Sequence, residues 1–408
     1  MKLPKNMEYI LKGRRFPKSP APSLAMLFLR RQIVGGMRDY SQGVGIGHLL
    51  AQPNPNAVSF WQQTIPYTAN NLGNWTTPEE KPYNIATAIE KNLITLLSDL
   101  YGCPRGLEGY VSSGATEGNI FMAWCGRNLL RSKLKSSPIC MLKTDLAHYS
   151  LSKAADIVGV PAHTIALDNH TWSMSPEDLE KQIDNLYRKG MRGFLIPLTL
   201  GYTVGGTSDD TDSLIAALKR CKKRLRNLHF FVWTDAALAG LVLPFAQKNF
   251  RPFRHPEIQA FIVDFHKFAG VPLPAGVILY RKGLRKHVEK TIPYLTQKDN
   301  TLLGSRSGIA AISIWGVIHA QGHEGFAGMV KACLMEKQKT LAAILKAEPS
   351  VRVITAPDSI QAALTVRKPL PPALCSKYGI VMSTYPLAIG GKKKTFRLYK
   401  LFFLPRYQ

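Results

Sequence analysis

Residues 259–270, QAFIVDFHKFAG, hold the stretch whose reading decides the fold. Through Asp264 the run reads as a buried strand, and His266 and Lys267 stand where the chain would leave the core. Burying a lysine as a cation costs on the order of several kcal/mol, and the residue is rarely fully buried unless paired. Either Lys267 reaches water along its stem, or it is held at the strand end for amine chemistry.

Outward from this strand, short apolar runs recur at GYVSS (109–113), ICML (139–142), GFLIPLTL (193–200) and HFFVWT (229–234), with GVILYRK (276–282) as a further strand. Segments of helical character, such as TEGNIFMAWCGRNLLRS and SPEDLEKQIDNLYRKG, separate them. Strands apolar on both faces and alternating with helices predict an α/β fold, its mainly parallel sheet covered on both sides. Upstream, Ile85, Ile89, Leu93, Leu96, Leu97 and Leu100 predict one helix face, stopped by Gly102 and Pro104. Residues 1–80 read as a Pro- and Gly-punctuated arm and 81–308 as a large domain. Residues 309–408 read as a small C-terminal α+β domain, a long helical stretch followed by VRVIT, QAALTV and TFRLYKLFF.

The 408 residues exceed the usual single core, in keeping with one large and one small domain. A net charge of +26, from 53 basic against 27 acidic side chains, raises the question of anionic partners. The basic runs KRCKKRLR (219–226) and KKK (392–394) lack the interleaved aromatics of a stacking platform, so a solvated face is the favoured reading. No nucleic-acid or membrane partner is firmly implied. Six cysteines without a CxxC pair or regular spacing indicate neither a zinc site, nor any other metal, nor a disulfide framework, and suggest a reducing cytoplasm. The basic first forty residues lack a signal-peptide pattern, and SLAMLFL is too short to span a bilayer; an organelle transit segment stays open.

Ligands of open α/β sheets sit beyond the carboxyl ends of the strands. After GYVS comes Ser113-Gly114-Ala115-Thr116-Glu117-Gly118-Asn119, leading into a helix. Small residues there let a phosphate approach free N–H groups at a helix start, although the same pattern also makes an ordinary cap. After ICML comes His148, whose ring could stack on an aromatic ligand or simply be structural. After HFFVWT comes Asp235, either a helix N-cap or the counter-ion of a buried cationic ring nitrogen. After AFIVD come His266 and Lys267. One chemistry uses all of them: pyridoxal 5'-phosphate, with Lys267 as Schiff-base lysine, Asp235 on the pyridine nitrogen, His148 stacked on the ring, and the 113–119 loop with His266 on the phosphate.

The stretches SGATEGN, AHYSLSKAADIVGV, TDAALAGLVLPF, DFHKFAGVPLPAGVILYRKG and PYLTQKDNTLLGSRSG resemble the group II pyridoxal-phosphate-dependent amino-acid decarboxylases. The likeness is strongest to the short bacterial histidine decarboxylases and archaeal-type tyrosine/aspartate decarboxylases, over about residues 70–320. It implies a fold type I, aspartate aminotransferase-like architecture and a homodimer with active sites at the subunit interface. It also implies release of an amine and CO2 from an L-amino acid. Matched motif by motif, Lys267, Asp235 and His148 keep the roles above, and Ala237 lies under the ring. Gly114, Ala115, Thr116 and His266 match the phosphate loop, and Thr199 a residue near the phenolic oxygen. Tyr294, where relatives carry a mobile loop, is the candidate for protonating the carbanion, and Arg306 and Arg397 are candidates for a carboxylate or phosphate contact. Phe265 and Tyr202 depart from the family pattern and suggest a reshaped pocket. Two alternatives remain: another pyridoxal reaction, such as a carbon-carbon lyase or aminotransferase, and a basic polyanion-binding protein on this scaffold.

Overall fold

The computed structural model describes residues 23–37, 45–67, 69–72, 85–103, 106–135, 137–293, 297–366 and 368–407. The chain falls into two units, residues 1–43 and 44–408. The first contributes one described helix, α1 (Ser23–Gly36). In the second, the strands through residue 280 are β1 (Asn70–Leu72), β2 (Glu108–Ser112), β3 (Ile139–Lys143), β4 (Ala162–Thr164), β5 (Gly193–Thr199), β6 (His229–Asp235), β7 (Ile258–Asp264) and β8 (Gly276–Tyr280). All but β1 form a seven-stranded sheet in the order β2-β8-β7-β6-β5-β3-β4, in which β8 alone runs against its neighbours.

The apolar runs become strands because each feeds two cores at once. Phe261 and Val263 of β7 pack with Ile183, Leu218 and Val232 on one side of the sheet, while Ala260 and Ile262 pack with Phe121 and Met122 on the other. That is the period of two expected of a strand covered on both faces. Each such buried Ile, Val or Phe contributes roughly 1.5–3 kcal/mol. β4, an edge strand of three residues that are not buried, has no apolar run to announce it.

Helices α2 (Pro55–Thr64), α3 (Ile85–Leu100), α4 (Ala115–Leu134), α5 (Ser150–Ile157), α6 (Pro176–Arg188) and α7 (Thr211–Arg224) accompany these strands. The inward face of α3 is turned from the one its leucines suggest. Ile85 is exposed, while Ala86, Glu90, Leu93, Ile94 and Leu97 are buried. Glu90 faces inward because its two carboxylate oxygens meet the Arg306 guanidinium at 2.5 and 3.1 Å.

Beyond β8, β9 (Lys290–Ile292) pairs with β10 (Gln297–Asp299), and β11 (Ser305–Ser307) pairs with β1, both antiparallel. The long helix α8 (Gly308–Ala347) is interrupted at Gly322, whose φ of 58° is outside helical space. A four-stranded antiparallel sheet follows, in the order β12 (Arg352–Ile354), β13 (Gln361–Thr365), β15 (Lys392–Phe402) and β14 (Met382–Ile389). β14 contains Pro386 and escapes a pattern search. As an edge strand it tolerates a residue that cannot donate to a ladder.

The basic run on α7 is partly paired on the surface, Lys219 with Glu257, Arg220 with Glu180, and Arg224 with Glu180 and Asp184. All six cysteines are free thiols. Among the described residues no helix is long and apolar enough to cross a membrane.

Candidate active site

Because β2, β3, β5, β6 and β7 share one direction, the residues that follow them gather on one edge of the sheet. There they line a cavity of about 270 Å³. Gly114, Ala115, Thr116, His148, Thr199, Asp235, Ala237, His266 and Lys267 all face it. The strand-end reading of the sequence therefore converges on one place.

Lys267 is held from both sides. Its carbonyl accepts from the Ala51 N–H at 3.0 Å, and the N–H groups of Phe265 and His266 donate to the Ala275 carbonyl at 3.0 and 3.1 Å. Its Nζ lies 3.4 Å from Asp264 Oδ2, and His266 Nε2 lies 3.5 Å from the same oxygen. Burial raises the Asp264 carboxyl above the usual range, with Lys267 and His266 pulling the other way. Its second oxygen, Oδ1, is buried without a hydrogen-bond partner. His266 places Nδ1 2.8 Å from the Ala275 carbonyl oxygen, which can only accept, so that nitrogen carries the proton.

Asp235 is 5 % exposed and sits in a saturated network. Asn119, one turn into α4, donates from Nδ2 to Asp235 Oδ2 at 2.7 Å and to Ser150 Oγ at 3.0 Å, and the Ala237 N–H reaches Asp235 Oδ1 at 3.2 Å. The amide cannot be turned round, because Trp233 Nε1 donates to Asn119 Oδ1 at 2.9 Å. Ser150 Oγ thus accepts from Asn119 and donates to His148 Nδ1, 2.9 Å away, leaving the His148 proton on Nε2. Burial pushes the His148 pKa down, against the opposing pull of Asp235. The group expected on the ring nitrogen, Asp235, and the group expected on the ring face, His148, are parts of one hydrogen-bonded assembly.

The 113–116 turn is both a cap and an opening. Glu117 Oε2 accepts from the Ser113 N–H and hydroxyl, each at 2.7 Å, while no side chain caps the start of α4 at Gly114. Gly114 has φ 137°, a conformation only glycine adopts readily, and a Cβ there would come within 3.1 Å of His266 Cε1. Thr199 is fixed from behind. Its N–H donates to Asp209 Oδ2 at 2.7 Å, and the other Asp209 oxygen accepts from Tyr202 and Met174, each at 2.8 Å.

Two expected residues, Arg306 and Arg397, do not line the cavity. Arg306 is buried with Glu90 and donates to the Val111 carbonyl at 3.0 Å, so its charge holds α3 to β2. Arg397 is exposed on β15 opposite Thr384. Neither lines the cavity of this chain, although both were candidates for a carboxylate or phosphate contact. Tyr294 lies outside the described residues. Phe265 and Tyr202 are buried behind the site and do not line the pocket that they were expected to reshape. Conversely, the sequence reading passed over Asn119, Ser150, Asp264 and Gln361. Asn119 and Ser150 stand inside the quoted motifs, and a short polar residue on a buried helix face was the signal for them.

The conserved domain of the pyridoxal-dependent decarboxylases matches residues 64–364. The chain belongs to the pyridoxal-dependent decarboxylase family. Its reaction is decarboxylation of an amino acid, and its cofactor is pyridoxal phosphate. A histidine decarboxylase of Vibrio anguillarum is 25% identical over 286 residues, covering 69% of this chain and 70% of that enzyme. An L-aspartate decarboxylase of Thermococcus kodakarensis is 29% identical over 329 residues, 78% of each chain. The structure of L-methionine decarboxylase from Streptomyces sp. 590 superposes with a TM-score of 0.79 at 16% identity, covering 97% of this chain and 94% of that one, and shows the fold type I architecture. The decarboxylase's own residues suit the cofactor: an uncapped helix start at Gly114, a buried carboxylate at Asp235 and an amine at Lys267.

Proposed function

We propose that Lys267 is the group that binds the aldehyde of pyridoxal phosphate and that the decarboxylase releases an amine and CO2 at this cavity. The convergence of Lys267, Asp235 and His148 on one cavity carries this reading. When bound, the cofactor supplies a conjugated electron sink for the pair left behind by CO2. Asp235, fixed by Asn119 and the Ala237 N–H, holds a proton on the ring nitrogen. With the cofactor bound, His148, fixed by Ser150, would pack on one face of its ring and Ala237 on the other. The first-turn N–H groups of α4, with Thr116 and His266, take the phosphate, using the partial positive charge of a helix N-terminus. Thr199, tethered by Asp209, would contact the cofactor's phenolic oxygen, and Asp264 holds the Lys267 amine at the cavity.

The same reading extends to the assembly: a homodimer of cytoplasmic chains, each with an arm (1–80), a large cofactor-binding part (81–308) and a small part (309–408), and Tyr294 delivering the proton to Cα. Two separate sheets, one ending at Tyr280 and the other starting at Arg352, support the division. The test is CO2 and amine release by the purified protein with added pyridoxal phosphate, across the common amino acids, beside Lys267→Ala. Amine from one substrate, with visible cofactor absorbance that the variant loses, is the expected result. A carbonyl product without CO2 would overturn it.

A further inference from the structure

Three ionisable groups meet at one oxygen of the lysine loop. Asp264 Oδ2 lies 3.4 Å from Lys267 Nζ and 3.5 Å from His266 Nε2. A charge-assisted N–H···O bond is shorter, about 2.7–2.9 Å, so neither contact is a tight ion pair. Nδ1 of His266 carries the ring proton toward the Ala275 carbonyl oxygen, 2.8 Å away, which turns the Nε2 lone pair toward Asp264 Oδ2. Two acceptors face each other there unless a proton lies between them. The other oxygen, Oδ1, is buried without a hydrogen-bond partner, and a Cβ on Gly276 would come within 2.7 Å of it. A buried anionic oxygen without a donor is costly, and the carbonyl oxygen of a neutral carboxyl is far less so.

This arrangement favours a neutral trio: Nζ as amine, Asp264 as acid, and its O–H aimed at His266 Nε2. Burial acts in the same direction on both partners, raising the Asp264 carboxyl and lowering His266. Around them, Lys267 and His266 pull Asp264 down and Asp235, at the end of β6, pushes it up, while His148 and Glu117 stand on the same lining among the described residues. The atoms in question belong to residues 264–267. The Ala237 carbonyl accepts from the Asp264 N–H at 3.0 Å, and Ala275 and Ala51 hold the rest of the loop, so the spacing is set within one chain.

Resting on the reading of Lys267 as the cofactor-binding amine, we propose that Asp264 is its proton acceptor: Oδ2 takes a proton from Nζ and presents it to His266 Nε2, which leaves Lys267 a nucleophile. The nitrogen then bonds to the cofactor's aldehyde carbon, its two remaining hydrogens leave with the aldehyde oxygen as water, and the third stays on Asp264. A carboxylate acting only as counter-ion would do the reverse and hold Lys267 as an unreactive ammonium.

The two roles differ in how capture of the cofactor depends on pH. Pyridoxal phosphate is mixed with the cofactor-free full chain between pH 6.5 and pH 9 and the visible absorbance is followed. The linkage is then fixed with borohydride and located by mass spectrometry. In the wild type the proton moves inside the trio, so the capture rate is expected to change less than about threefold across this range. In Asp264→Asn the amine must lose its proton to water, so the rate is expected to be about 100-fold lower at pH 6.5 and to recover about tenfold per pH unit. Asp264→Ser repeats the test should the first variant fail to fold. A wild-type rate that climbs tenfold per pH unit, a variant slowed equally at every pH, or a variant that captures faster at pH 6.5 overturns the assignment and leaves Lys267 in its role. A wild-type linkage at any residue other than Lys267 overturns the reading of Lys267 and this inference with it.

Discussion

The two walls of the cavity are built on opposite terms. On the wall made by β6, α4 and the turn after β3, every polar atom of Asn119 is used, and Trp233, Asn119, Asp235, Ser150 and His148 form one chain of hydrogen bonds. On the wall made by the end of β7 and the start of β13, Asp264 Oδ1 and Gln361 Oε1 are buried and unpartnered. The first wall is preorganised, its dipoles already aimed, so binding needs no rearrangement there. The second holds buried oxygens without partners. The saturated network around Asp235 suits a permanent cofactor.

The sharpest way to break the contrast is at Asp235. Asp235→Asn keeps the shape but removes the charge, and amine formation should fall roughly 10²- to 10³-fold in kcat at saturating cofactor. A loss below tenfold would mean that the saturated wall positions without polarising. Next in size is Asn119→Ala, which takes the donor from Asp235 and the bridge from Ser150. A cost of about 1–3 kcal/mol, hence a loss of about 5- to 150-fold in kcat/KM, should come with an altered pH dependence of the cofactor absorbance. An unaltered titration with lower thermal stability would assign Asn119 to structure alone.

The third effect is one of pH and concerns stability at the mount behind Thr199. Burial raises the Asp209 carboxyl from 3.8 to about 6, against hydrogen bonds from Thr199, Met174 and Tyr202 that lower it. The folded state then holds its proton more tightly than the unfolded chain, so this stabilisation is full below pH 4 and is lost as pH rises through about 6. The stability difference between wild type and Asp209→Asn should drift over that window by up to about 2–3 kcal/mol, read from denaturant midpoints at pH 4 and pH 7. A difference that is flat in pH would show that Asp209 titrates alike in both states.

Much of the first wall could be read from the chain, because each of its groups follows a strand and strands announce themselves by apolar runs. Lys267, Asp235 and His148 each stand within a few residues of such a run. Arg306 shows where that reading fails. A basic residue in a family-like motif reads as a ligand contact, but its partner Glu90 lies 216 positions away, and only folding brings the two together. Gln361 fails in the opposite sense: it sits in an unremarkable strand of the small sheet, and nothing local marks it as lining the cavity. The inward face of α3 was misjudged for the same reason as Arg306, since an apolar tally does not foresee a buried carboxylate.

The sequence by itself determined the parallel sheet, the order of the strand-end residues and the cofactor chemistry. Hydrophobic period and local turn chemistry act over a few residues and survive without knowledge of the partners. The tertiary structure alone decided which polar groups are paired, which are left open, and which charges stay away from the cavity. Hydrogen bonds and ion pairs between distant residues depend on angstrom-scale geometry, and a polar side chain shows its purpose only once burial has removed the water that would otherwise satisfy it. Lys267 could be named from its neighbours in sequence; Gln361 could be named only from its neighbours in space.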